Sequence, residues 1–495
     1  MSDSRDNKKF DVQSEGGLAS KRGPLSKEEE DSLKYRRNTI IVIAVVAVLV
    51  IFSAIINSNL LYTSTTAVSV GSTNYSPAQV DVFYRSALNN IYTSYQQMFG
   101  DSASYFLNSI NSETVWPQTE ENMKQITALY DDALKNGVAL SEEDQADIEE
   151  QVSSLSDSAT EYGYSSLDHF LATNYGKGVT EKILRGVLER MYIAQDYAES
   201  TRDSFTYEQS DLDAYYEEHK SELDTFTYYA YTVSTGNAVF DDLADDSAKA
   251  AAAHDAAQAI ADAAEESGVD GFTDGVHAFS DTASVTESTN AGSSVSSDYL
   301  DWLADESREE GDVGVIDTDS GSVVVLYLGR DDGGYHPVSM RHILISVEPD
   351  EDGIYNDEDK DAAEEEINRI YEEWQEDPTE DHFAELANEY STDPGSNTNG
   401  GLYEDIAKNQ MVPEINSFLF DEDAEVGDTK VVYVESTNYH GWHIVYFLGD
   451  SGEALYRDET VENLLRSEDY TAWQDALTEN YPVVQKFGFR HVNMD

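Results

Sequence analysis

The chain contains no cysteine and ten histidines, and it has no Gly-x-Ser-x-Gly, His-Glu-x-x-His or phosphate-loop motif. Disulfides, thiolate nucleophiles, Cys-ligated zinc and iron–sulfur clusters are therefore excluded. What remains for chemistry is two histidines inside apolar runs and one aspartate beside a turn. His342 stands in Met340–Val347 (MRHILISV) and His443 in Gly441–Gly449 (GWHIVYFLG), both of which read as strands. Asp393 stands in Tyr390-Ser391-Thr392-Asp393-Pro394-Gly395-Ser396. A lone histidine in an apolar strand is either a core residue satisfied by its neighbours or a functional imidazole. An aspartate before Pro-Gly is, taken alone, a turn former. His382, which opens a helical run, is expected to be solvated, and His440 reads as a loop residue rather than a catalyst.

Composition narrows the classes. With 495 residues, a prior of roughly 150 residues per domain gives about three domains. The formal net charge is −68, from 98 acidic and 30 basic side chains. Phosphate binding needs a basic footprint, so nucleic acid is excluded as a partner, and docking on an anionic lipid surface is disfavoured. At 40% hydrophobic and 11% aromatic residues, the chain is too apolar for general disorder.

No charged residue occurs from Asn38 to Val80. The core of this stretch, Thr39–Ile56 (TIIVIAVVAVLVIFSAII), nearly spans a hydrocarbon layer of about 30 Å as a helix, and 57–62 complete it. Lys34, Arg36 and Arg37 precede it, which places the N-terminus in the cytoplasm by the positive-inside rule. An uncleaved signal anchor is expected. A cleaved signal peptide is the rival, but the preceding 37 residues and the long apolar run fit it less well. Residues 1–37 are nearly neutral, so almost all the acidity lies beyond the anchor.

Residues 63–222 read as helices, at about 78–99, 117–136, 141–157, 165–174, 178–202 and 208–221. Ser76-Pro77 supplies the N-cap and first-turn proline of the first helix. A strand at 226–234, an Ala-rich helix at 249–266, a loop at 280–297 and a strand at 321–329 follow. The same order returns over 338–450, with strands at 340–347 and 441–449 around helices at 361–374 and 383–390. Tyr299–Asp312 lies over Ile415–Asp428 without a gap, matching Trp302 with Phe418, Leu303 with Leu419 and Gly311-Asp312 with Gly427-Asp428. After a short gap, GSVVVLYLG lies over GWHIVYFLG. The pattern is an internal repeat. A last helix is expected at about 457–479.

Four segments of the second repeat together resemble the parvulin family of peptidyl-prolyl isomerases. They are Arg341-His342-Ile343-Leu344-Ile345, Phe383-Ala384-Glu385-Leu386-Ala387 running to Ser396, Asn399-Gly400-Gly401 leading to Gln410-Met411-Val412-Pro413-Glu414, and Gly441-Trp442-His443-Ile444. The layout around them resembles the extracytoplasmic PrsA-type foldases of Gram-positive bacteria. Those usually carry a lipid on cysteine, which this chain lacks. The resemblance implies an α+β architecture: cytoplasmic tail 1–37, transmembrane anchor 38–62, helical chaperone-like domain 63–222, degenerate parvulin-like domain 223–335, parvulin domain 336–450, and a C-terminal helix in 451–495 packing on the helical domain.

The resemblance also implies the site. His342 and His443 are the paired histidines of the pocket floor, on adjacent strands, and Asp393 is the acidic group beside them, able to orient an imidazole. Met411 matches the methionine of the proline pocket. Ile415 falls where the family usually has Phe, Tyr403 where it usually has Leu, and Asn438 near the usual Thr. In the first repeat Val323 replaces His443, and Tyr228 or Tyr229 falls opposite His342, so that domain is expected to be inactive.

Prolyl isomerisation crosses a barrier of roughly 18–20 kcal/mol, because twisting breaks C–N resonance. No bond to the substrate is required, and neither cofactor nor metal is expected. Glu348-Pro349-Asp350-Glu351-Asp352-Gly353, with Asp359 in twelfth place, only grazes the calcium-loop pattern and reads as a solvated acidic loop. The expected function is isomerisation of X–Pro bonds in unfolded secreted or cell-surface polypeptides, at the cell membrane, with the bulk of the chain outside. A dimer is an open possibility. The rivals are a non-catalytic holdase built on parvulin folds and a calcium-dependent surface protein.

Overall fold

A computed structural model describes residues 36, 38–50, 53, 58–103, 105, 109–349, 353–436 and 439–494. They divide into two compact units. One holds the described residues up to Ser204 together with those from Tyr470 onward, and the other is Phe205–Asp469.

The first unit opens with β1 (Val68–Val70) and β2 (Thr73–Tyr75) and continues in helices α1 (Pro77–Phe99), α2 (Ser112–Lys135), α3 (Glu142–Glu161), α4 (Leu167–Asn174) and α5 (Glu181–Asp203). The first helix begins where the sequence says. Ser76 accepts from the Gln79 amide, the Gln79 side chain accepts from the Ser76 amide, and Pro77 fills the first turn. Phe83, Met123, Ile148, Leu171, Leu184 and Val187 form the shared core. Three-residue runs carry no periodicity, so these strands are not legible in the sequence. β1 pairs antiparallel with β2 and with the late strand Val483–Gln485, so the chain's end closes a sheet begun at its start.

Residues 38–50 are helical, and Ile40, Val42 and Leu49 are more than half exposed, at 66%, 59% and 58%. Among the described residues no helix is long and apolar enough to cross a membrane. The run expected to do so, Thr39–Ile56, lies partly outside them.

The second unit begins with α6 (Gln209–Leu223). β3 (Thr225–Ser234), the helical run α7 (Asp246–Phe279), β4 (Ser288–Ala291), α8 (Leu300–Leu303), β5 (Val313–Thr318) and β6 (Gly321–Asp331) follow. The run α7 breaks at Ser267-Gly268, where Gly268 takes φ +61°, so a second helix extends beyond the Ala-rich one expected. Part of the expected loop at 280–297 is β4, an edge strand. The second repeat comprises β7 (Val338–Val347), α9 (Asp357–Glu376), α10 (Glu380–Tyr390), β8 (Leu402–Ile406), α11 (Pro413–Leu419), β9 (Thr429–Glu435) and β10 (His440–Asp450). In α12 (Tyr456–Thr478), Val461 and Leu465 pack against Leu212 and Tyr216 of α6.

The two antiparallel sheets have equivalent orders, β4-β3-β6-β5 and β8-β7-β10-β9. The repeat extends to single hydrogen bonds. Gly311 N donates to Tyr327 O and Tyr327 N to Asp312 O, both at 2.9 Å; Gly427, Phe447 and Asp428 repeat both bonds at 2.9 Å. Each central strand pair also bulges at the equivalent leucine, Leu328 or Leu448. The register then corrects one expectation. Val445 pairs with His342, and its equivalent Val325 pairs with Ala230. Ala230, not Tyr228 or Tyr229, therefore stands in place of His342. Val323 does stand in place of His443.

Alternation along the strands divides the second sheet into two faces. Ile343, Ile444 and Tyr446 pack against Ile367, Ile370, Trp374, Phe383 and Leu386 of α9 and α10. Each fully buried side chain of this kind contributes about 1.5–3 kcal/mol. His342, Leu344, His443, Val445 and Phe447 face the other way, toward α11. In the first repeat the corresponding face is filled: Leu303 and Trp302 of α8, with Tyr299, pack on Tyr228, Val323, Val325 and Tyr327.

Candidate active site

On the open face of the second sheet lies a cleft of about 430 Å³, lined by Met340, His342, Leu344, Ser346, Thr392, Asp393, Pro394, Tyr403, Gln410, Met411, Val412, Ile415, Tyr439 and His443. Six of the seven residues singled out in the sequence converge there. The seventh, Asn438, lies outside the described residues.

The floor is built from backbone outward. His342 and His443 sit on adjacent antiparallel strands, diagonal to one another, and both are buried. β8 pairs with β7 only as far as Arg341. Beyond it the segment after α10 takes over β7's free edge: Leu344 N donates to Ser391 Oγ (3.1 Å), Thr392 N to Leu344 O (2.8 Å) and Ser346 N to Thr392 Oγ1 (3.0 Å). That clamp delivers Asp393 to the Nε2 edge of the His342 ring. Gly401 explains the Gly-Gly pair. Its φ is +73°, its carbonyl accepts from His342 N at 2.8 Å, and a Cβ there would lie 2.2 Å from His342 O. A side chain at 401 would push His342 out of place.

The polar groups form one connected chain. Asp393 Oδ2 lies 2.9 Å from His342 Nε2 and accepts from Ser396 Oγ (2.5 Å) and Tyr403 Oη (3.0 Å), while Oδ1 accepts from Gly395 N (3.2 Å). A carboxylate only accepts, so His342 must donate from Nε2, which leaves its Nδ1 as an acceptor when the ring is neutral. His443 Nδ1, 3.2 Å away, then donates, and His443 Nε2 accepts from Tyr439 Oη at 3.4 Å. Every group is satisfied with a single polarity, running from Tyr439 through both histidines to Asp393.

The electrostatics agree with this assignment. The His342 hydrogen bond, helped by those from Ser396 and Gly395, holds the Asp393 carboxyl well below its usual range despite partial burial. Burial, reinforced by neighbouring His342, pushes His443 down to about 3, so it is neutral at ordinary pH. Burial and the bond to Asp393 raise the Tyr403 phenol.

The remaining lining is apolar. Ile415 is buried against Met340, Val445 and Phe447, with Met411 and Val412 beside it. Tyr403 edges the His342 ring at 5.3 Å as well as binding Asp393, so the residue that departs from the family's leucine adds a polar anchor. Ser396, fully buried, and Tyr439 belong to the site but were not singled out in the sequence. Ser396 was visible only as part of a turn motif. Among the described residues, no group of three or more His, Asp or Glu side chains is arranged to hold a metal ion.

An apolar cleft over a floor of two buried histidines and a partly buried aspartate, on a four-stranded antiparallel sheet backed by two helices, defines a parvulin-type isomerase domain. Residues 342–449 match the family model described as rotamase, the PPIC-type PPIASE domain, and that segment is a peptidyl-prolyl isomerase domain of this type. Similar solved structures include the peptidylprolyl isomerase PrsA of Bacillus anthracis, at 22% identity and TM-score 0.18 over 30% of this chain and 58% of that one. The foldase protein PrsA of Streptococcus pneumoniae matches at 18% identity and TM-score 0.18, over 32% and 55%. The PrsA structure from Bacillus cereus matches at 15% identity and TM-score 0.19, over 61% and 85%. The chain thus spans a little over half the length of the first two. No curated protein matches it.

Proposed function

We propose that this protein is an extracytoplasmic foldase that isomerises X–Pro bonds in unfolded secreted or cell-surface polypeptides. The observation that carries the reading is the hydrogen-bonded Tyr439–His443–His342–Asp393 chain, with both histidines buried, under an apolar cleft within a segment that matches an isomerase family. The chemistry asks for no covalent step. Met411, Ile415 and Met340 would grip the proline ring and strip water from the amide. The polar floor would favour the twisted state over either planar one. Lowering the barrier by about 4 kcal/mol gives roughly a thousandfold acceleration of a step that otherwise takes tens of seconds.

The apolar, exposed helix at 38–50 supports membrane attachment, and Lys34, Arg36 and Arg37 before the apolar run support a cytoplasmic N-terminus. The helical unit would serve as a cradle that holds a client while its prolines are processed. The test is refolding of a client limited by proline isomerisation, with the full chain in detergent. Acceleration at substoichiometric chain supports the foldase. Suppressed aggregation without acceleration would replace it with the holdase reading, which the replacements at Tyr403 and Ile415 favour.

A further inference from the structure

The charge around the cleft is one-sided. No lysine or arginine is among its fourteen lining residues, and its one carboxylate, Asp393, is held by four hydrogen-bond donors. Exposed carboxylates flank the cleft on two of the elements that form it. Exposed Glu348 follows β7 two residues after cleft-lining Ser346. Exposed Glu414, in the first turn of α11, lies between lining residues Val412 and Ile415. The charges of Glu414 and Asp393 act on the Tyr439 phenol inside the cleft, adding to the effect of burial.

The nearby cations are engaged elsewhere. Arg341 binds Glu380 at 3.0 Å and the carbonyls of Asn399 and Gly400. Lys360 sits over the Tyr433 ring at 3.9 Å. Lys408 pairs with Asp331 at 2.8 Å. Lys430 borders α11, with its ammonium 3.4 Å from the Glu414 carbonyl and over Phe418.

We infer that the site selects proline segments with a lysine or arginine next to the proline and discriminates against glutamate or phosphoserine there. This deepens the isomerase reading and rests on it. Low-dielectric walls between rim carboxylates focus the field, so a cation beside the proline enters favourably and an anion meets repulsion. The selection is electrostatic and therefore screened: it is strong at about 20 mM salt, where the Debye length exceeds the cleft, and weak at about 500 mM.

The test compares three peptides with Lys, Leu or Glu before proline, using the full chain in detergent and cis–trans exchange read by NMR. The expected kcat/KM order at low salt is Lys, then Leu, then Glu, with about tenfold between the extremes, collapsing toward equality at high salt. The double variant Glu348→Gln with Glu414→Gln is expected to narrow the spread and leave the Leu peptide unchanged. An equal or better Glu peptide, or a salt-independent order, overturns the inference. If no peptide is accelerated, the isomerase reading fails instead. Shift titrations with the same three peptides then decide the charge preference on binding alone: a Lys-first, salt-sensitive order upholds it, and any other order overturns it.

Discussion

His342 and His443 face one another Nδ1 to Nδ1 at 3.2 Å, with ring planes 20° apart. Two identical nitrogens share one proton, so something else must decide which ring donates. Asp393 decides it by taking the Nε2 proton of His342. Replacing Asp393 with Asn removes the charge and permits the opposite polarity. The expected result is a kcat/KM lowered about ten- to a hundredfold. An exchange of the His342 tautomer in nitrogen-15 spectra is expected with it, and a purely structural role for Asp393 would not produce that exchange.

Tyr439 holds the other end. Its hydroxyl is the one partner shown for His443 Nε2, at 3.4 Å. Tyr439→Phe keeps the ring and removes that donor. Stability is expected to fall by no more than about 1.5 kcal/mol, as for one net hydrogen bond. The kcat should drop more than KM rises, measured with a neutral proline peptide.

Acid is expected to weaken the second unit through His443. Its folded value of about 3 lies below the ordinary 6.5, so the unfolded chain takes up this proton first. The stability His443 contributes in neutral form is then lost as pH falls from about 6.5 toward 3. Asp393, also depressed, adds a loss of the same sign at still lower pH. The measurement is denaturant unfolding of wild type and His443→Asn across that window. The variant should lose less stability on acidification than wild type, which separates this group from the many surface carboxylates.

The first repeat is expected to contribute packing and no catalysis. Leu303 is fully buried where the second repeat has Leu419, and Tyr299 and Trp302 pack beside it on the face equivalent to the cleft. Leu303→Ala should cost about 2–5 kcal/mol in urea unfolding. Under conditions where the variant is folded, its isomerisation rate should match that of wild type.

Much of this arrangement is readable in the sequence because two signals coincide there. Strand alternation places His342 and His443 on one face, and the repeated Gly-Asp turn sets the register of both repeats. The counterpart of His342 was misplaced because register depends on the bulges at Leu328 and Leu448, and a one-residue slip exchanges faces. The spacing between β9 and β10 is not set by periodicity, so the sequence does not distinguish Tyr439 from its neighbour Asn438 as the residue that reaches His443. Ser396 reaches Asp393 only through the turn that follows α10. Tyr403 registered only as a departure from leucine, since its bond to Asp393 depends on how β8 pairs with β7.

The most direct test is the cis–trans exchange rate of a short peptide with leucine before proline, measured by NMR with the full chain in detergent, for wild type and for His443→Ala. The expected result is a large acceleration by wild type that falls to the uncatalysed rate in the variant, since Val323 and Ala230 leave the first repeat without a floor. An acceleration that survives in folded His443→Ala, or none in wild type, would contradict the assignment of catalysis to this cleft.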